Sequence, residues 1–157
     1  MLTAFAQTSC SSSASSSITS KATTCMLDTA TSNASYNMPS KGHVNPFPHG
    51  SCTWWADQRY YQLHGFYVPW TTQANAWQWT ARARQFYWKV SNRPSRGAII
   101  DLQPWVQWAW GSGHVGVVEK VLSNGHVIAS NMSWWPTPWR VTNAEFKPGP
   151  GVTFISF

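Results

Sequence analysis

The chain has 157 residues, enough for one domain of ordinary size, with eleven Lys and Arg against five Asp and Glu for a formal net charge of +6. Only 10% of the residues are charged and no run of eighteen apolar residues occurs, which excludes a bilayer-spanning helix. The positive balance suits an acidic polymer, whether bacterial envelope, nucleic acid or anionic membrane, and twelve tryptophans exceed what one core needs, so some rings are expected on a rim or groove where polymers stack.

The first seven residues contain an Ala-x-Ala pattern, Ala4-Phe5-Ala6, followed by Gln7, which resembles the tail of a secretory signal. From Thr8 to Ser40 the chain is Ser, Thr, Ala and Asn with few aromatic or branched apolar side chains. Such a segment cannot bury enough surface to offset its ordering entropy, so residues 1–41 read as a disordered leader or linker. Cys10 and Cys25 lie in it and could close a disulfide loop in an oxidising compartment, leaving Cys52 alone. The folded domain is expected over residues 42–157, acting outside the cell or in its envelope.

The stretch "PHGSCTWWADQRYY", Pro48 to Tyr61, puts a cysteine directly after residues that break or cap helices. The spacing predicts a first helix over Cys52–His64, ending at Gly65, and "TTQANAWQWTARARQFYW" predicts a second over Gln73–Gln85. Arg82, Arg84, Lys89, Arg93 and Arg96 form a loose basic stretch without the motif spacing of a nucleic-acid reader, so it is read as a solvated face and no nucleic-acid partner is expected. After Pro94 the pattern changes to short Val- and Ile-rich runs: "RGAIIDLQ", "GHVGVVEKVL", "GHVIASNMSW" and a closing "GVTFISF". Ser123-Asn124-Gly125 is a hairpin signal between the middle two. Helices first and an antiparallel sheet afterwards imply an α+β domain with the helices packed on the sheet.

A cysteine at a helix N-terminus has its thiolate stabilised by unpaired N–H groups and the helix dipole, which is expected to lower its pKa. Nucleophilic cysteine chemistry then needs a histidine and a group that orients its ring. Of five histidines, His114 is best placed, at the first residue of a strand after Gly111-Ser112-Gly113, and the next strand carries Asn131, whose amide could accept the second ring N–H. Cys52, His114 and Asn131 are therefore the candidate catalytic set. Trp54, Trp55, His49 and Trp134 are candidate walls of a substrate cleft. The cysteine and histidines lack the paired spacing of zinc sites, and no metal or other cofactor is expected.

The stretches "NPFPHGSCTWWA", "ANAWQW", "RGAI", "GHVGVVEKV" and "SNGHVIASNMSW", in this order, resemble the CHAP family of cysteine, histidine-dependent amidohydrolases and peptidases over about Asn45 to Phe157. The resemblance implies a papain-like α+β fold that cleaves amide bonds in peptidoglycan, between N-acetylmuramic acid and L-alanine or within the peptide stem and cross-bridge. It implies Cys52 as nucleophile, His114 as general base and Asn45 as a side-chain oxyanion donor. Family members often carry a Ser-Glu-Met-Asn run where this chain has Ser130-Asn131-Met132-Ser133. Asn131 thus takes the place of an acidic residue, with Glu119 as an alternative only if it turns inward; a solvent-facing Glu119 is preferred. The implied partner is bacterial peptidoglycan, with no membrane insertion, and a monomer is expected because a polymer-cutting enzyme must enter a mesh. A non-catalytic, Trp-rich wall- or glycan-binding module is the alternative.

Overall fold

The computed structural model describes residues 37–157. The expectations for the leader, for the signal-like tail and for Cys10 and Cys25 fall on residues outside the described ones. Helix α1 spans Cys52–His64. Ser51 caps it in extended backbone, its Oγ accepting the Trp54 N–H at 3.0 Å. Gly65 closes it with φ 80°, a left-handed turn in which its N–H donates to the Tyr61 carbonyl. Thr53, Ala56, Asp57 and Tyr60 are its buried residues, a stripe at helical spacing that faces the sheet.

The second helix is shorter than its periodicity predicts. Gln73 takes φ 46°, outside the helical region, and a 3-10 turn over Ala76–Gln78 precedes α2, which spans Trp79–Gln85. The Gln78 side chain accepts the Asn75 N–H at 2.9 Å, so the polar residues that looked like a helix's first turn serve as a cap.

Strands β1 (Lys89–Ser91), β2 (Ile99–Leu102), β3 (His114–Val121), β4 (Val127–Met132), β5 (Val141–Phe146) and β6 (Val152–Ser156) form one sheet in the order β1-β6-β2-β3-β4-β5, with every pairing antiparallel. Residues 123–125 join β3 to β4 as the hairpin signal required, with Gly125 at φ 83°. β1 and β5 were not expected. β1 is only three residues long, and β5 alternates exposed and half-buried positions, so neither edge strand has a dense apolar run.

Each face of the sheet buries its own cluster. On the helix side Ala56, Tyr60, Trp70, Trp79, Ile99, Val115, Val117 and Ile155 pack together. On the other side Ile100, Leu102, Val118, Ala129, Phe146 and Phe154 pack beneath Val106 and Trp134. Two helices on a six-stranded antiparallel sheet make this the α+β, papain-like arrangement that the sequence implied.

Asp57 ties α1 to the segment that follows it. Its side chain has no solvent exposure, and its Oδ1 accepts the Val68 N–H at 2.7 Å while Oδ2 has no partner. Burial pushes this carboxyl up to about 7, against the Val68 bond. A raised folded pKa means that the group's contribution to stability is full below the unfolded Asp range, about 4, and is lost as pH rises through about 7. Asp57→Asn keeps the acceptor and removes the titration. Urea unfolding should therefore show the stability of wild type relative to Asp57→Asn falling by on the order of 3 kcal/mol between pH 4 and pH 8; a pH-independent difference would refute this account.

Candidate active site

The ladder between β3 and β4 starts only at Val117 and Ser130, so the first residues of β3 precede it. There the N-terminus of α1 packs on β3, and the backbone groups of Val115, of Thr53 and of Cys52 itself favour the Cys52 thiolate. Burial outweighs them and pushes the thiol above its ordinary value, with the nearby Asp101 carboxylate adding to the rise. The expectation of a thiol acidified by the helix terminus is thus overturned, because desolvation is the larger effect.

His114, 5% exposed, opens β3, and Asn131 lies fully buried on β4. His114 Nε2 and Asn131 Oδ1 are 3.1 Å apart, while Asn131 Nδ2 donates to the Ala129 carbonyl at 2.7 Å. The amide orientation set by Ala129 leaves oxygen toward the ring, so Nε2 carries the proton and Nδ1 is left as the basic atom. Trp134 covers the imidazole, ring centroids 4.5 Å apart. This enclosure pulls the His114 pKa down to about 4, against the opposing effect of the Asn131 bond. At neutral pH the imidazole is uncharged and the thiol protonated. Among the described residues, His114 bonds Asn131 directly, and Cys52 stands at the start of α1, which packs on the same strand β3.

The other candidates divide. Asn45 Nδ2 donates to the Trp54 carbonyl at 2.9 Å and its Oδ1 accepts the Phe47 N–H, which fastens the loop before Cys52 to the first turn of α1. His49 packs edge-on against Trp54, centroids 4.2 Å apart. Trp55 turns instead toward the sheet, its Nε1 donating to Ser130 Oγ at 3.1 Å. Glu119 accepts two bonds from Arg59, at 2.8 and 2.9 Å, and one from Ser130 Oγ at 2.7 Å. It is half-buried in this network rather than simply facing solvent, and its bonds go to Arg59 and Ser130, not to His114.

Comparison with known proteins supplies the context. The model of the CHAP domain matches residues 31–133. The chain belongs to the CHAP domain family. It is 31% identical over 129 residues to a probable autolysin SsaALP of Staphylococcus aureus, covering 82% of this chain and 46% of that protein. It is 36% identical to a probable autolysin LDP of the same species, over 73% of this chain and 38% of the relative. The sle1 N-acetylmuramoyl-L-alanine amidase of S. aureus is 29% identical over 80% of this chain and 35% of its own length. The crystal structure of an N-acetylmuramoyl-L-alanine amidase from S. aureus superposes with a TM-score of 0.65 at 26% identity, over 73% of this chain and 33% of that one. The chain thus spans less than half the length of these relatives.

Within the CHAP fold, two further residues shape the site. A Cβ on Gly116 would stand 2.4 Å from Asn131 Oδ1 and 2.7 Å from the Ser130 carbonyl, so the bare glycine is the space in which the Asn131 amide lies on its way to His114. A glycine inside a strand is itself a signal of close approach. Ser133, at φ 55°, donates through Oγ to the Gly50 carbonyl at 2.6 Å and accepts the Trp139 N–H at 2.8 Å, clasping the loop after β4 to the loop before Cys52. Gly116→Ala should displace Asn131 and break its bond to the imidazole. With the opposing Asn131 bond lost and Trp134 still over the ring, the His114 side chain should titrate below its wild-type value of about 4 in ¹H–¹⁵N spectra; an unmoved titration in a folded variant would contradict this role.

Proposed function

We propose that this chain is a peptidoglycan hydrolase that cleaves amide bonds through a cysteine acyl-enzyme, with Cys52 as nucleophile, His114 as base and acid, and Asn131 as the residue that orients the ring. The observation that carries the reading is the buried His114–Asn131 pair on β3 and β4, with the Cys52-bearing start of α1 packed on β3. Its similarity to autolysins and amidases supports peptidoglycan as the substrate, acted on outside the cell or in its envelope.

Both reacting groups rest neutral, so proton transfer accompanies attack. His114 Nδ1 takes the thiol proton as Cys52 Sγ adds to the amide carbonyl carbon, giving a tetrahedral oxyanion and an imidazolium. The N–H of Cys52 and the second Nδ2 proton of Asn45 are the oxyanion donors, on a loop and helix that Asn45 itself locks together. The imidazolium then protonates the leaving amine, the C–N bond breaks, and a thioester remains. His114 next takes a proton from water, whose oxygen attacks the thioester carbon and releases the acid and the thiol. Asn131 has no charge to offer the imidazolium; its contribution is to hold Nε2–H and keep Nδ1 available.

Turbidity of purified peptidoglycan should fall with wild type and not with Cys52→Ala or His114→Ala, while mass spectrometry of the fragments names the bond. Asn131→Ala should lower kcat by about 10²–10⁴. Wall that sediments with wild type but is never cleared would reject the hydrolase in favour of a non-catalytic wall-binding module, a reading that the exposed tryptophans support.

The acid limb of kcat/KM reports the free enzyme's base, so it should fall with a midpoint near pH 4, where His114 protonates. Trp134→Ala, which uncovers the ring, should move that midpoint upward. An acid limb at about 6.5 in wild type would show that His114 is solvated in the working enzyme.

A further inference from the structure

On the sheet face opposite the helices, beside His114, an open groove of about 700 Å³ is walled by Trp105, Trp108, Trp110, Trp134 and Trp135. Four of these indoles are among the most exposed apolar side chains described: Trp108 at 89%, Trp105 and Trp135 at 74%, Trp110 at 66%. Trp134 is half-buried and joins the groove to the site, since one wall of it is the ring that covers His114, and it also packs on Phe146 at 5.2 Å. The groove is therefore continuous with the candidate active site.

The backbone is bent to hold these rings outward. Trp105, Gln107 and Trp108 take φ of 68°, 47° and 70°, left-handed values that cost a non-glycine residue stability and persist where the surroundings enforce them. The enforcement is visible: Gln107 exchanges two hydrogen bonds with the backbone of Lys147, at 2.8 and 2.9 Å, and the Trp105 N–H donates to Ala109 O at 2.9 Å. A rigid loop thus presents large apolar faces to water, which a fold does not need for its own core. The indole N–H groups of Trp55, Trp79 and Trp88 are bonded inside the fold, whereas that of the buried Trp70 has no partner.

The lining contains no charged residue. A stem peptide carries ionised carboxylates and amines that would meet no counter-charge here. A pyranose ring is neutral, offers a flat face of C–H groups to an indole, and carries hydroxyl and amide groups at its rim that an indole N–H can bond. We propose, resting on the hydrolase reading, that the groove is a glycan subsite that seats N-acetylated hexosamine rings of peptidoglycan. A sugar held against Trp134 brings the amide nearest the glycan toward Cys52 and His114, so the groove selects the sugar–peptide junction over bonds farther along the stem.

The test uses the full chain, Trp108→Ala, Trp135→Ala and the conservative Trp108→Phe, with a soluble N-acetylglucosamine hexamer as probe. The hexamer should change the tryptophan fluorescence of wild type and inhibit its digestion of peptidoglycan fragments. Both alanine variants should lose that response and raise KM for glycan-bearing fragments about tenfold, with kcat changing far less, and Trp108→Phe should recover most of the loss. Unchanged KM and no response to the hexamer would overturn the subsite while leaving the hydrolase intact. An equal loss on sugar-free stem peptides would also overturn it, since the groove would then hold peptide. A wild type that responds to the hexamer yet cuts no wall rejects the hydrolase reading and keeps the sugar site.

Discussion

The packing of the start of α1 against the start of β3, which lets the Val115 backbone favour the Cys52 thiolate, is the joint between the two halves of this domain. It requires the start of α1 to meet β3 at one particular residue, ahead of the point where β3 and β4 begin to pair. A slip of one residue in β3 would turn His114 to the other face and set a different side chain against Asn131. The surrounding bonds read as means of fixing that register. Ser51 caps the helix start, Asn45 ties the preceding loop to its first turn, and Asp57 anchors the segment beyond its end.

The electrostatics of the site follow from the same packing. His114 and Asp101 are buried and Cys52 half-buried, and each shifts toward its neutral form. Asp101 illustrates the balance: two bonds from Thr80 favour the carboxylate, yet burial carries its pKa up to about 6. A site with few fixed charges at rest reserves charge for the reaction itself, when preorganised N–H groups act on a developing oxyanion in a dry surrounding.

Most of the scaffold could be read from the chain because its signals are local. Ser51 and Gly65 mark the ends of α1, and residues 123–125 mark the β3–β4 hairpin, since capping and turn chemistry depend on the backbone of a few neighbours. The second helix was overextended because Gln78 has helical spacing but is used to cap Asn75. β5 was passed over because its alternation is between half-buried and exposed residues, with little apolar contrast. In the site, the candidate residues stood out by type and motif, but their electrostatics did not. Whether a helix terminus acidifies a thiol depends on how much water is excluded, and that is decided by distant residues packing over it. Gly116 and Ser133 belong to the same class, since one matters for a side chain it leaves room for and the other for a carbonyl more than eighty positions away.

The enclosure of the Cys52 sulfur has a further effect on the lifetime of the protein. Peroxide and disulfides react with thiolates, and a sulfur kept protonated by burial is a poor target for both. Sulfinic acid formation at a cysteine is not reversed by ordinary thiol reductants. The desolvation that denies Cys52 an acidified resting state therefore also shields it from oxidation, and in the proposed mechanism the sulfur becomes a strong nucleophile only while His114 is receiving its proton.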